Sequence, residues 1–134
     1  MKFLTLHCFD VFAVALMLTA PFALPMDAQQ RTVTKVVAIA KPKNYTGRAP
    51  ATIEFVGTIF VSKHPVTVEY QWERSDGGMG ERKKVTIRSA GQGVTDSWQL
   101  GAPGQHLRVW EKLHILAPTG ITSAAAVATI NCRK

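Results

Sequence analysis

The stretch VTVEYQW, residues 66–72, decides the fold. Its apolar residues stand at every second position and alternate with the polar residues Thr67, Glu69 and Gln71. Because successive side chains of a β-strand point to opposite faces, this period of two predicts a strand with one buried and one solvated face. The residues that follow, Asp-Gly-Gly at 76–78, are types that favour turns.

Six further runs repeat this alternation, and Gly/Pro-containing segments such as GAPG at 101–104 separate several of them. The runs cover residues 32–39, 52–62, 82–89, 94–100, 107–116 and 123–132. In the run 52–62, Val56 and Phe60 are apolar exceptions on the otherwise polar face. Amphipathic strands joined by short turns are typical of two sheets packed face to face. The sequence therefore predicts one all-β domain over residues 32–133, an antiparallel β-sandwich of about seven strands.

The sequence also predicts which residues face the interior of this sandwich. They are Ile53, Phe55, Gly57, Ile59, Val61, Val66, Val68, Tyr70, Trp72, Val85, Ile87, Val94, Trp98, Leu100, Leu107, Val109, Leu113, Ile115, Ala126, Ala128, Ile130 and Cys132.

Residues 1–28 have the pattern of a signal peptide. Lys2 supplies the positive start, residues 11–18 form an uninterrupted apolar run, and Ala28 is the favoured cleavage point. The alternative is an uncleaved membrane anchor, although this apolar run is far shorter than the ~20 residues that span a bilayer. We expect a secreted or periplasmic protein with no membrane span after cleavage.

The chain is basic, with a formal net charge of +7. Loss of residues 1–28 would remove Lys2, Asp10 and Asp27, leaving 15 of 16 basic and 7 of 9 acidic side chains. An excess of positive charge of this size attracts polyanions and anionic surfaces. It is equally compatible with a basic protein that has no such partner.

Three segments carry a resemblance to a known class of domain. They are VEYQWERSDG (68–77), SWQLGAPG (97–104) and WEKLHILAPTGITSAAAVATINC (110–132). Together they resemble an immunoglobulin-like or fibronectin-type-III-like domain of bacterial exported proteins. The resemblance implies an immunoglobulin-like sandwich with Trp72 in its core. It also implies a spacer, adhesive module or ligand-binding accessory without enzymatic activity, and fold alone does not choose among these.

The resemblance further implies a disulfide between a cysteine just before the second strand and one at the end of the last strand. Here Ala49 stands at the first position and Cys132 at the second. Cys8 would leave with the signal peptide, so Cys132 would be the only thiol of the exported protein. It is predicted to be a small buried apolar residue, with a free thiol or an intermolecular disulfide as alternatives.

Two rows of cationic and aromatic side chains are predicted on outward strand faces. The first row is Arg82, Lys84 and Arg88, and the second is Arg108, Trp110, Lys112 and His114. Such rows suit a phosphate backbone or an anionic glycan, with the indole stacking on a sugar ring or a base. The alternatives are an ordinary solvated face, or a bulge that turns Trp110 inward. Binding is favoured if Trp110 is exposed beside the row Arg82–Arg88.

No motif for catalysis or metal binding is found in the sequence. Glu69 and Glu73 would lie ~13 Å apart on one strand face, too far for the carboxylate pair of a glycosidase; a pair from different strands is left open. We therefore predict a non-enzymatic exported interaction or structural module without cofactor or metal. Its partner would be another exported protein, or a cell-surface polyanion or glycan. The alternative function is binding of anionic or carbohydrate ligands through the two rows.

Overall fold

The structure, a computed structural model, describes residues 31–134, and the predicted signal peptide lies outside these residues. The described residues form nine β-strands. These are β1 (Val33–Lys41), β2 (Asn44–Gly47), β3 (Ala51–Val61), β4 (Val66–Arg74), β5 (Lys83–Ile87), β6 (Gly91–Leu100), β7 (His106–Ala117), β8 (Ile121–Thr122) and β9 (Ala126–Cys132).

The strands form two sheets. The three-stranded sheet has the order β1-β3-β6, and the six-stranded sheet has the order β2-β9-β7-β4-β5 with β8 paired to β7. The predicted all-β sandwich is confirmed, with one difference in direction. Strand β2 pairs parallel to β9, whereas every other named strand pair of the described chain is antiparallel. Strand β2 was not predicted, because four mostly polar residues carry little alternation.

Along most of the strands, every second side chain is buried, as predicted. In β3, every second residue from Ala51 to Val61 is buried, and Val68, Tyr70 and Trp72 of β4 point into the same interior. In β1, a register shift between Val33 and Lys35 puts Val33 and Val36 on the same buried side. The core therefore lies between the two sheets, as the alternation requires.

The tightest contact between the sheets is at Gly57 of β3. A Cβ atom at this position would lie 2.5 Å from Leu113 Cδ2 and 3.2 Å from two atoms of the Trp72 ring. Glycine is therefore required here by the close approach of side chains from the six-stranded sheet. This explains why an otherwise apolar inward row of β3 contains a glycine.

The predicted last strand, residues 123–132, begins later in the structure. Residues 123–125, which follow β8, are irregular, and β9 begins only at Ala126. The buried Ser123 hydroxyl accepts a hydrogen bond from Leu113 N at 2.9 Å and donates one to Ala124 O at 2.8 Å. These side-chain bonds satisfy backbone groups at this irregular segment.

Candidate functional site

The two predicted basic rows lie on the same outer face of the six-stranded sheet but are not adjacent. Arg82, Lys84 and Arg88 lie on or beside β5, whereas Arg108, Trp110 and Lys112 lie on β7. Strand β4 runs between β5 and β7. Two strand spacings of about 4.8 Å put the rows roughly 10 Å apart.

The intervening strand β4 carries acidic residues on this face. Glu69 lies opposite Lys84 and 4.0 Å from Arg82 Nη1. Glu73 lies opposite Lys112, and its Oε2 atom is 2.5 Å from His114 Nε2. Arg82, Lys84 and Lys112 therefore have carboxylate neighbours on the same face, which reduces their attraction for a polyanion.

Trp110 lies in the second row and faces outward, so the bulge considered for it is absent. It is half-buried, and Lys112 Nζ lies 4.8 Å from its ring centroid, within cation–π range. It pairs with Val127 of β9, on the side of β7 away from β5. The structure therefore places Trp110 away from the row Arg82–Arg88.

The outer face of the three-stranded sheet is different in character. Val37 and Ile39 of β1 and Phe60 of β3 are 36%, 39% and 37% exposed, and Val56 lies directly opposite Ile39. We call these four residues the apolar face. A Cβ at Gly91 would lie 3.3 Å from Phe60 Cδ1, so the glycine lets the phenyl ring lie close over β6. Two lysines of β1 flank the apolar face at positions 35 and 41.

Strand β6 forms one edge of the three-stranded sheet. Side chains donate hydrogen bonds to several of its backbone carbonyls. The Gly91 carbonyl accepts a hydrogen bond from Ser89 Oγ at 2.9 Å, and the Gly93 carbonyl accepts one from Gln92 Nε2 at 3.1 Å. The Ser97 carbonyl accepts one from Arg74 Nη2 at 3.3 Å. Side-chain caps of this kind reduce the tendency of an edge to pair with another strand.

A cluster of three charged residues, which we call the charge cluster, connects the two sheets; one of its members is buried and two are partly exposed. Arg74 of β4 bonds Glu111 Oε1 of β7 through Nε at 3.1 Å and Asp96 Oδ2 of β6 through Nη2 at 3.0 Å. The Arg74 guanidinium also lies 5.0 Å from the centroid of the Trp98 ring. Glu111 is 0% exposed, and its Oε2 atom has no hydrogen-bond partner among the described residues.

The pKa values of Glu111 and Arg74 are both raised in the charge cluster, but for different reasons. Burial raises the pKa of Glu111 to about 7; the Asp96 charge raises it further, and Arg74 offsets this only in part. Burial by itself lowers the pKa of the Arg74 guanidinium. The hydrogen bond and charge of Asp96, and then those of Glu111, have the opposite effect and are larger together, so the pKa is raised. An open cavity of about 320 Å³ lies beside Arg74 and Asp96.

The sequence predictions missed this cluster, although the alternation contained the signal. Glu111 occupies the inward position between Val109 and Leu113, and Arg74 continues the inward series that ends at Trp72. Asp96 lies between the inward residues Val94 and Trp98. A charged residue at an inward position of a strand predicts a buried polar contact, because a buried charge needs a partner.

Cys132 is 4% exposed and has no disulfide partner within the described part of the chain. A Cβ at Gly101, whose φ is +100°, would lie 2.7 Å from the Cys132 sulfur, so a glycine turn covers the thiol. A disulfide between two copies would require this turn or the end of β9 to move. Intermolecular pairing through Cys132 stays a prediction.

Two classes of feature are not found in the part of the chain that the structure describes. Residues 31–134 contain no group of three or more His, Cys, Asp or Glu side chains arranged to hold a metal ion. Over the same range, no helix has the length and hydropathy needed to cross a membrane.

The fold is similar to that of a solved domain, although the sequences differ widely. The CARDB domain of a Pyrococcus furiosus protein, crystallised in complex with di-metal ions, matches with a TM-score of 0.50 and 10% identity. The match covers 77% of this chain and 98% of that chain. No protein-family model and no curated protein matches the sequence. At this identity the likeness concerns the fold alone, and the chain is an immunoglobulin-like β-sandwich domain.

Proposed function

We propose that the chain is a non-enzymatic exported module that binds a partner protein through its apolar face. The observation that carries this proposal is the exposure of Val37, Ile39 and Phe60 on the outer face of one sheet. Phe60 lies there opposite Lys35 and diagonal to Val37. Contiguous apolar surface is typical of protein interaction sites. The resemblance to domains of bacterial exported proteins and the predicted signal peptide support export, to the periplasm or outside the cell.

The charges around the apolar face favour a partner of a particular kind. Lys35 and Lys41 flank it on β1, and Glu54 lies opposite Lys41 on β3. The whole chain carries a formal net charge of +7. A second copy of the chain would therefore bring further positive charge to the contact. A partner with an apolar patch bordered by carboxylates is complementary to this surface.

Photocrosslinking in the producing cell tests this proposal. A photoreactive residue in place of Val37 should form an adduct with an acidic protein, whereas one in place of Thr86, exposed on the other sheet, should not. Ile39→Glu should abolish the Val37 adduct and leave the unfolding temperature unchanged. Equal adducts at both positions, or an adduct only with a second copy of the chain, would contradict the proposal.

Binding of a cell-surface polyanion or glycan through Arg82, Lys84, Arg88, Arg108, Trp110 and Lys112 is the second candidate function. The exposure of Arg82, Lys84 and Arg88 along the edge strand β5 favours it, whereas the position of Trp110 away from this row does not. The test is a glycan and nucleic-acid binding screen at low and moderate salt. Affinity that falls with salt and is lost in Lys84→Glu supports this function, since phosphate or sulfate contacts are strongly salt-dependent. The absence of binding at low salt contradicts it.

A further inference from the structure

The charge cluster holds two carboxylates on one guanidinium. Arg74 reaches Glu111 at 3.1 Å and Asp96 at 3.0 Å, so the ionised cluster carries one excess negative charge. Glu111 is 0% exposed, and its Oε2 atom makes no hydrogen bond within the described residues. A buried, partly unsatisfied carboxylate is costly to ionise. Protonation removes this cost and the excess charge together.

We propose that Glu111 takes up a proton from solvent in the folded protein and that the charge cluster is a proton-linked clasp between the two sheets. In the protonated state Arg74 is shared between a neutral Glu111 and the Asp96 carboxylate, and it holds β6 against β4 and β7. Loss of the proton leaves two negative charges on one guanidinium and weakens the attachment of β6. This inference does not depend on whether the apolar face binds a partner.

Within residues 31–134, Arg74 and Asp96 are the charged side chains that act on Glu111. Arg74 faces it from β4 and Asp96 from β6, while its pairing neighbour on β9 is Ala126. His114 and Glu73 form their pair on the outer face of the sheet and not in the interior. The rise in the pKa of Glu111 to about 7, caused first by burial and then by Asp96, agrees with this arrangement.

The direction of the pH effect follows from this raised pKa. In an unfolded chain Glu111 would titrate near its usual value of 4.5, whereas in the folded chain it titrates near 7. The folded state therefore binds more protons between these values, and stability falls as pH rises through that window. Between pH 5 and pH 8, the unfolding equilibrium constant should rise by about a hundredfold from this group, since each unit of pKa difference corresponds to a tenfold change.

A carbon-13 NMR titration of the glutamate side chains in the exported protein is the direct test. One carboxyl signal should titrate with a midpoint near pH 7 and be missing in Glu111→Gln. Asp96→Asn should lower this midpoint, because it removes the neighbouring negative charge. This second variant keeps the test decisive if Glu111→Gln fails to fold. A Glu111 signal that titrates near the ordinary value of glutamate overturns the proposal.

Hydrogen exchange tests the clasp separately from the titration. Protection factors of the β6 amides should be about tenfold lower at pH 8 than at pH 6 in the wild-type protein, as expected for a local opening linked to one proton. They should not change with pH in Glu111→Gln. Glu73→Gln, on the outer face of β4, is the matched control and should retain the wild-type pH dependence. Equal protection of β6 at both pH values in the wild-type protein overturns the clasp.

Discussion

The two sheets have similar inner faces and different outer faces. Both bury alternate apolar residues against each other, with β3 and β4 as the clearest examples. On the outer face of the six-stranded sheet, Glu69 and Glu73 lie among the cations of β5 and β7. On the outer face of the three-stranded sheet, Val37, Ile39 and Phe60 are left exposed.

This difference separates what stabilises the domain from what is available to a partner. Burial in the shared core provides the main stabilisation, because apolar area removed from water contributes about 25 cal/mol per Å². Ion pairs on an exposed sheet face contribute about 0–1 kcal/mol each. The apolar side chains on the outer face of the three-stranded sheet are exposed and contribute less to the core. Substitutions on each face test this division.

The largest effect is expected from a covalent link between the loop that precedes β3 and the last strand of the six-stranded sheet. The family resemblance implies a disulfide between positions 49 and 132, and Ala49 is half-buried against the core. Ala49→Cys should stabilise the protein by about 2–4 kcal/mol under oxidising conditions only. The measurement is the unfolding temperature with and without reductant, with Ala49→Ser as control. A bond confirmed by mass spectrometry without any rise in that temperature would contradict the implied pairing.

A smaller effect is expected at the tightest contact between the inner faces. Gly57→Ala places a methyl group 2.5 Å from Leu113 Cδ2 and should destabilise the protein by about 1–3 kcal/mol through overpacking. Gly93→Ala, at the neighbouring position of β6, is the matched control, since its nearest atom would be Gly57 O at 3.9 Å. Chemical denaturation of both variants measures the difference. Equal stability of the two would show that the interior accommodates the methyl group.

The smallest effect is expected on the outer face of the six-stranded sheet. Arg82 is 71% exposed and lies 4.0 Å from Glu69, so its ion pair is weak. Arg82→Ala should change the free energy of unfolding by less than about 0.5 kcal/mol. A denaturation curve recorded beside the Gly57→Ala curve provides the comparison. A loss above 1 kcal/mol would mean that the charge pairs of this face are part of the structural core.

The strands could be predicted from the sequence because each has one buried and one solvated face. This was sufficient for Val68, Tyr70 and Trp72, which lie in the interior as expected. The parallel pairing of β2 could not be predicted, because its four residues have little alternation and depend on the position of β9. The irregular segment at residues 123–125 was also missed, because it depends on the hydrogen bonds of Ser123 to Leu113 and Ala124.

The candidate site was only partly accessible from sequence. The outward direction of Arg108, Trp110 and Lys112 follows from alternation alone, but the separation of the two basic rows depends on strand order. Short-range patterns do not contain that order, because the strand between the rows is decided by tertiary packing. Glu111 could have been found, since a carboxylate at an inward position is visible in the sequence. Its contacts with Arg74 and Asp96 require the two sheets to be in place.

The occupied carbonyls of β6 have a consequence for how the domain meets its neighbours. An incoming strand would have to displace the side chains of Ser89, Gln92 and Arg74 before it could extend the three-stranded sheet along this edge. Fibre-like growth through backbone pairing on that side is therefore discouraged even where many copies are crowded together. Selectivity for a partner then depends on the shape and charge of side chains. These differ from one protein to the next, whereas the backbone is the same in all proteins.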